Sequence, residues 1–134
     1  MKKKIFALLL AAAMLLTLAA CAASPAAAPS DGDKPTYTVG ICQLAQHEAL
    51  DAATKGFIDA LNEALPGQVK IEEKNASGDS ANCSTIVNGF VSEGVDLIMA
   101  NATPALTAAA AATSDIPILG TSITAYGVAL DLDD

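Results

Sequence analysis

The chain has 134 residues, fifteen carboxylate side chains and seven lysines, with no arginine and no tryptophan, and a formal net charge of −8. One small domain fits that length. So acidic a surface repels phosphate backbones and excludes nucleic acid as a partner, and the lack of arginine removes the bidentate clamp for carboxylates and phosphates.

Lys2, Lys3 and Lys4 precede an apolar run, Ile5 to Ala20, broken only by Thr17. As a helix this run is about 24 Å long, short of a ~30 Å hydrocarbon core. It ends in Leu18-Ala19-Ala20-Cys21, which reads as a bacterial lipoprotein processing site with small residues beside the scissile bond. Residues 1–20 are therefore expected to be a signal peptide and Cys21 the site of lipid attachment. That places the mature chain on the extracytoplasmic face of the cell membrane, on the periplasmic side where an outer membrane is present. Two acyl chains suffice for stable attachment, at ~0.8 kcal/mol per buried CH₂. An uncleaved N-terminal anchor is the alternative, and it too leaves the rest facing outward. Loss of the three leader lysines leaves four lysines against fifteen carboxylates, a net of −11. Residues 21–36, rich in Ala, Pro, Ser, Asp and Gly without an apolar period, read as a tether. With Cys21 lipidated, Cys42 and Cys83 remain. They could pair outside the cytoplasm, but two buried thiols acting as small hydrophobes is the favoured reading.

From Tyr37 the pattern changes. Tyr37 to Gln43 is β-branched and apolar and predicts a buried strand. His47 to Leu65 predicts a helix with Leu50, Ala53, Phe57, Leu61 and Ala64 on one face, stopped by Pro66-Gly67. Val69 to Asn75 predicts a second, more polar strand nearer a sheet edge. Asp79 or Ser80 then caps a helix running to Glu93, with Cys83, Ile86, Val87, Phe90 and Val91 inward and Gly94 ending it. Val95 to Asn101 is almost wholly apolar, as in a parallel strand covered on both faces. Thr103-Pro104 predicts a hydroxyl cap with Pro at the first position of an Ala-rich helix reaching Thr113. Ile116 to Ser122 predicts a fourth strand, and the last dozen residues carry no expected element. The β-α-β-α-β-α-β order implies an α/β fold: a parallel sheet with flanking helices and right-handed crossovers.

Ligands of open parallel sheets bind beyond the carboxyl ends of the strands. Gln43, Gln46, His47 and Glu48 follow the first strand. Asn75, Ser77, Gly78 and Asp79 follow the second, Asn101, Thr103 and Pro104 the third, and Thr121, Ser122 and Thr124 the fourth. Three helix N-termini at that edge favour an anionic group such as a carboxylate. Asp79 and Thr103 are explained equally well as caps, and His47 as a surface residue at a helix start. Gln43 is less readily explained by structure and is favoured as a functional residue. One histidine, no nucleophile elbow, no phosphate loop and no metal motif leave no catalytic residue, no metal and no cofactor. The chain does not read as an enzyme.

The segments VGICQLAQHEALDAATKGFIDAL, KNASGD, VDLIMANATPALTAAAAAT and DIPILGTSIT together resemble the N-terminal lobe of ABC-transporter substrate-binding lipoproteins of the tryptophan/tyrosine-binding type. The resemblance runs from about Tyr37 to Thr124. It implies a type I periplasmic-binding fold of two α/β lobes with a cleft between them. It also implies capture of an aromatic amino acid or similar small solute, and delivery to a membrane permease driven by an ATPase. Gln43, His47, Asn75, Asp79, Thr103 and Thr121 match the family's motifs and become the candidate ligand contacts. Such binders are more than twice as long, so residues 37–134 are expected to form a partial N-terminal lobe, a truncated fragment. The competing readings are a binder of sugars or nucleosides, a small flavodoxin-like lipoprotein module and a structural envelope lipoprotein. Few aromatics are free to stack on a sugar, and a flavodoxin-like fold needs a fifth strand.

Overall fold

The computed structural model describes residues 36–132. The expected signal peptide, Cys21 and all of the tether but Thr36 lie outside the described residues, as do Asp133 and Asp134.

Four strands form one parallel sheet: β1 (Tyr37–Gln43), β2 (Val69–Asn75), β3 (Leu97–Asn101) and β4 (Ile118–Thr121). Between them run α1 (Glu48–Ala64), α2 (Ser80–Glu93) and α3 (Thr103–Ala112), and a short α4 (Tyr126–Leu130) follows β4. The strand order is β2-β1-β3-β4. The more polar β2 is thus an edge strand, and β1 and β3 are central and nearly all buried. The α/β architecture and the first two strands agree with expectation residue for residue. β3 and β4 are shorter than expected by two residues at their starts, and β4 by one at its end.

Side-chain alternation divides the core in two. Val39, Ile41 and Met99 point to one face, where Phe57, Ile58 and Leu61 of α1 pack on them. Cys42, Ile98 and Ala100 point to the other, under Val87 and Phe90 of α2 and Ala105, Leu106 and Ala109 of α3. Gly40 permits the closest of these contacts, since a Cβ there would lie 2.6 Å from the Phe90 ring. On α1, Ala64 is exposed rather than inward, and the fully buried position is Thr54. That helix covers its face of the sheet with a partly polar stripe.

Two expectations are corrected. Thr103 is the first residue of α3 rather than its cap; the cap is Ala102, which has no side-chain oxygen to offer. The last dozen residues do contain an element: α4 packs Ala129 and Leu130 onto the α3 layer. Five residues are too few for an apolar period to be visible in sequence.

Candidate functional site

All strands being parallel, their carboxyl ends share one edge, and α1, α2 and α3 begin there. The order β2-β1-β3 places the topological switch between β1 and β3, whose last residues, Gln43 and Asn101, are register partners.

Both side chains are buried, and Thr54 of α1 joins them. The Thr54 hydroxyl donates to Gln43 Oε1 at 2.6 Å. Asn101 Nδ2 donates to the Thr54 oxygen at 2.9 Å and to the Leu50 carbonyl at 2.8 Å. Gln43 Nε2 donates to Asp51 Oδ1 at 2.6 Å and to the Ala45 carbonyl at 2.8 Å. This network locks the start of α1 to the two central strands. Gln43 therefore has a structural explanation after all, as the anchor of the β1–α1 loop. Asn101 Oδ1 is buried and finds no protein donor, an open acceptor at the centre of the edge.

A cleft of about 680 Å³ opens beside this network, lined by Gln43, Ala45, Gln46, Asp51, Glu73, Asn75 and Ser77. Of the six expected contacts it gathers Gln43 and Asn75. Asn75 Oδ1 accepts from the Ser77 N–H at 2.8 Å, which shapes the loop along the rim. His47 and Asp79 are exposed caps: His47 Nδ1 accepts from the Ala49 N–H at 3.2 Å and Asp79 Oδ1 from the Ala81 N–H at 2.8 Å. The Thr103 hydroxyl accepts from the Thr124 N–H at 3.3 Å, tying the loops after β3 and β4 together. Thr121 ends β4, and its carbonyl accepts from the Ala102 N–H at 3.0 Å. His47, Asp79, Thr103 and Thr121 share the carboxyl edge but do not line the cleft.

Asp51 and Glu73 are cleft residues that sequence reasoning did not select. Asp51 reads as solvated because it lies off the apolar stripe of α1. Its place in that helix's first turn is the signal that could have found it. Glu73 shares the α1-facing side of edge strand β2 with Val69 and Ile71, and a charge at the next position of that apolar alternation is the signal that could have found it. With these two carboxylates and no lysine in the lining, the cleft favours a cationic group.

Backbone strain gathers at the same edge. Ser77, Ala102 and Ser122, one in each loop after β2, β3 and β4, have φ of 56°, 91° and 57°. Ala102, with ψ of 157°, occupies a region that is essentially glycine-only. Strain of this kind persists where surrounding structure over-determines it, often at ligand sites. Among the described residues no group of three or more His, Cys, Asp or Glu could hold a metal, and no helix is long and apolar enough to cross a membrane.

Comparison with known proteins agrees with this fold. A curated tyrosine-binding protein of Clostridioides difficile (strain R20291) is 37% identical over 131 residues, covering 91% of this chain and 38% of the relative. The ligand-free, open structure of a substrate-binding protein with adhesive properties from Clostridium difficile superposes with a TM-score of 0.68 at 38% identity, over 70% of this chain and 33% of that one. A Streptococcus pneumoniae ABC domain in complex with L-Trp gives a TM-score of 0.66 at 35% identity, over 70% of this chain and 32% of that one. The chain thus spans about a third of the length of the relatives it matches. The family described as ABC transporter substrate binding protein matches residues 38–131. The switch-point edge, the cleft and these likenesses converge: the chain belongs to the ABC transporter substrate-binding proteins, a family of binders rather than enzymes.

Proposed function

We propose that this chain contributes one wall of a binding cleft for an aromatic amino acid or a closely similar small solute, and that the assembled binder hands the solute to the permease and ATPase of an ABC importer. The observation that carries this reading is the cleft at the carboxyl ends of β1 and β2, in a chain whose relatives include a tyrosine-binding protein and a domain solved with L-Trp. Asp51 and Glu73 suit the ammonium group of such a solute, and Gln46, Asn75 and Ser77 supply neutral polar contacts. Gln43 forms the floor and holds the Asp51 carboxylate in place. His47, Asp79, Thr103 and Thr121 act through the loops they pin.

Substrate-binding proteins of this family work outside the cytoplasm. The leader ending at Cys21 supports a lipid anchor that holds the chain beside its permease. Blocked incorporation of labelled palmitate in a Cys21→Ser chain is the expected result, and labelling that survives the substitution removes the anchor from the proposal.

One wall of a cleft leaves a solute largely exposed, so this chain is expected to bind L-Trp weakly, on the order of millimolar. Amide NMR during titration with L-Trp, with a sugar as comparison, tests the reading. Saturable shifts confined to residues 43–51 and 73–79 are expected with L-Trp and none with the sugar. Shifts elsewhere, or equal response to both, would count against it.

A further inference from the structure

Two side chains outside the cleft form a pair that solute binding does not use. Cys42 lies in β1, paired with Lys74 of β2 and Ala100 of β3, and Cys83 is in the first turn of α2. Both are fully buried in the apolar layer beneath α2 and α3. Both are free, and they are neighbours in that layer, each perturbing the other's thiol. The backbone between them is pinned to the same place. The Ala76 N–H donates to the Gln43 carbonyl at 2.8 Å, Gly78 N–H to the Leu44 carbonyl at 2.7 Å and Cys83 N–H to the Asp79 carbonyl at 3.2 Å. Both cysteines lie at the base of the β2–α2 loop, which carries Ser77 of the cleft rim.

We propose that Cys42 and Cys83 join in an intramolecular disulfide when the chain folds in an oxidising compartment, stapling the carboxyl end of β1 to the first turn of α2. The bond closes a loop that contains all of α1 and β2, so it constrains the unfolded chain over a long segment. It also fixes the rim loop from behind.

The chemistry belongs to folding rather than to the folded state. Burial pushes the Cys42 thiol up to about 12, with the neighbouring Cys83 adding to the shift, and burial raises Cys83 as well. Once α2 has docked, little thiolate is present to react. Before docking, the Cys83 thiolate attacks a small disulfide or the disulfide of an exchange enzyme, forming a mixed disulfide and releasing one thiol. The Cys42 thiolate then attacks Cys83 Sγ, the Sγ–Sγ bond forms and a second thiol leaves. The two cysteines lose two protons and two electrons, and the co-reactant disulfide is reduced to two thiols.

The test uses the full chain with Cys21→Ser, so that Cys42 and Cys83 are the cysteines that can react. The chain is unfolded and reduced, then refolded in a buffer of glutathione and glutathione disulfide. Free thiols are counted with Ellman's reagent after denaturation. The expected product has no free thiol, a mass two hydrogens below the reduced chain, and tryptic peptide 75–134 linked to the peptide that carries Cys42. It melts on the order of 10 °C above the reduced form. A chain folded in the reduced state and then given glutathione disulfide keeps its thiols about 100-fold longer than the unfolded chain does. A Cys42→Ala, Cys83→Ala variant on the same background is expected to melt identically with and without dithiothreitol. Two free thiols after oxidative refolding, disulfide-linked dimers, or an oxidised form that melts below the reduced one would overturn the proposal.

Discussion

Gln43, Thr54 and Asn101 show how a few buried polar groups fix the carboxyl edge of the sheet. Every hydrogen-bonding group of Thr54 in this network faces a buried partner, so its hydroxyl has no substitute. Thr54→Val keeps the shape but leaves Gln43 Oε1 and an Asn101 N–H without that partner. The expected cost is about 2 kcal/mol, read as a lower urea midpoint with an unchanged slope. A loss within error would mean the network contributes nothing net. Ala102 argues in the opposite direction. Its φ of 91° is strained for any residue with a Cβ. Ala102→Gly relieves that strain but gives the unfolded chain more conformational entropy to lose on folding, and a net gain of about 1 kcal/mol is expected in the same measurement.

At the scale of elements, the layer under α2 depends on one small residue of β1. A methyl group at position 40 would overlap the Phe90 ring, and neither a central strand nor a fully buried ring can easily give way. Gly40→Ala is expected to destabilise by about 2 kcal/mol, with the sheet retained in far-UV circular dichroism. Two helix starts on the carboxyl edge are set by side chains. Asp79 closes the first turn of α2, so Asp79→Ala should cost about 1 kcal/mol, with hydrogen exchange accelerating first at residues 80–83. His47 performs the same task for α1. Lys55–Asp59 and Lys70–Glu72 are exposed ion pairs. Lys70 holds the Glu72 carboxyl below its ordinary range, but solvent screening leaves such pairs little weight in stability.

For the molecule as a whole, the sheet edge at β4 matters most. Among the described residues β4 pairs only with β3, and Leu119, Val128 and Leu132 are exposed, Val128 at 85%. An open edge beside apolar side chains favours association between copies. Light scattering is expected to show a mass that grows with concentration, and Leu119→Lys to suppress that growth; a monomer at every concentration would show that the edge is inert. Much of this architecture is legible in the amino-acid order. Alternating β-branched runs and amphipathic stretches, punctuated by Pro66-Gly67 and Gly94, suffice for the α/β class, the boundaries of β1 and β2 and the cap at Asp79, because these depend on local sterics and period. That the strand-end loops and helix starts share one edge of the sheet was legible for the same reason. The partners across that edge were not legible. That Gln43 meets Thr54 and Asn101, that Asp51 and Glu73 face one cleft, and that Cys42 and Cys83 share one buried cluster all follow from strand order and helix placement. Those bring together residues up to about 50 positions apart, as with Asn101 and Leu50. Local pattern carries no information on such distances; the burial of apolar side chains on both faces of the sheet decides them.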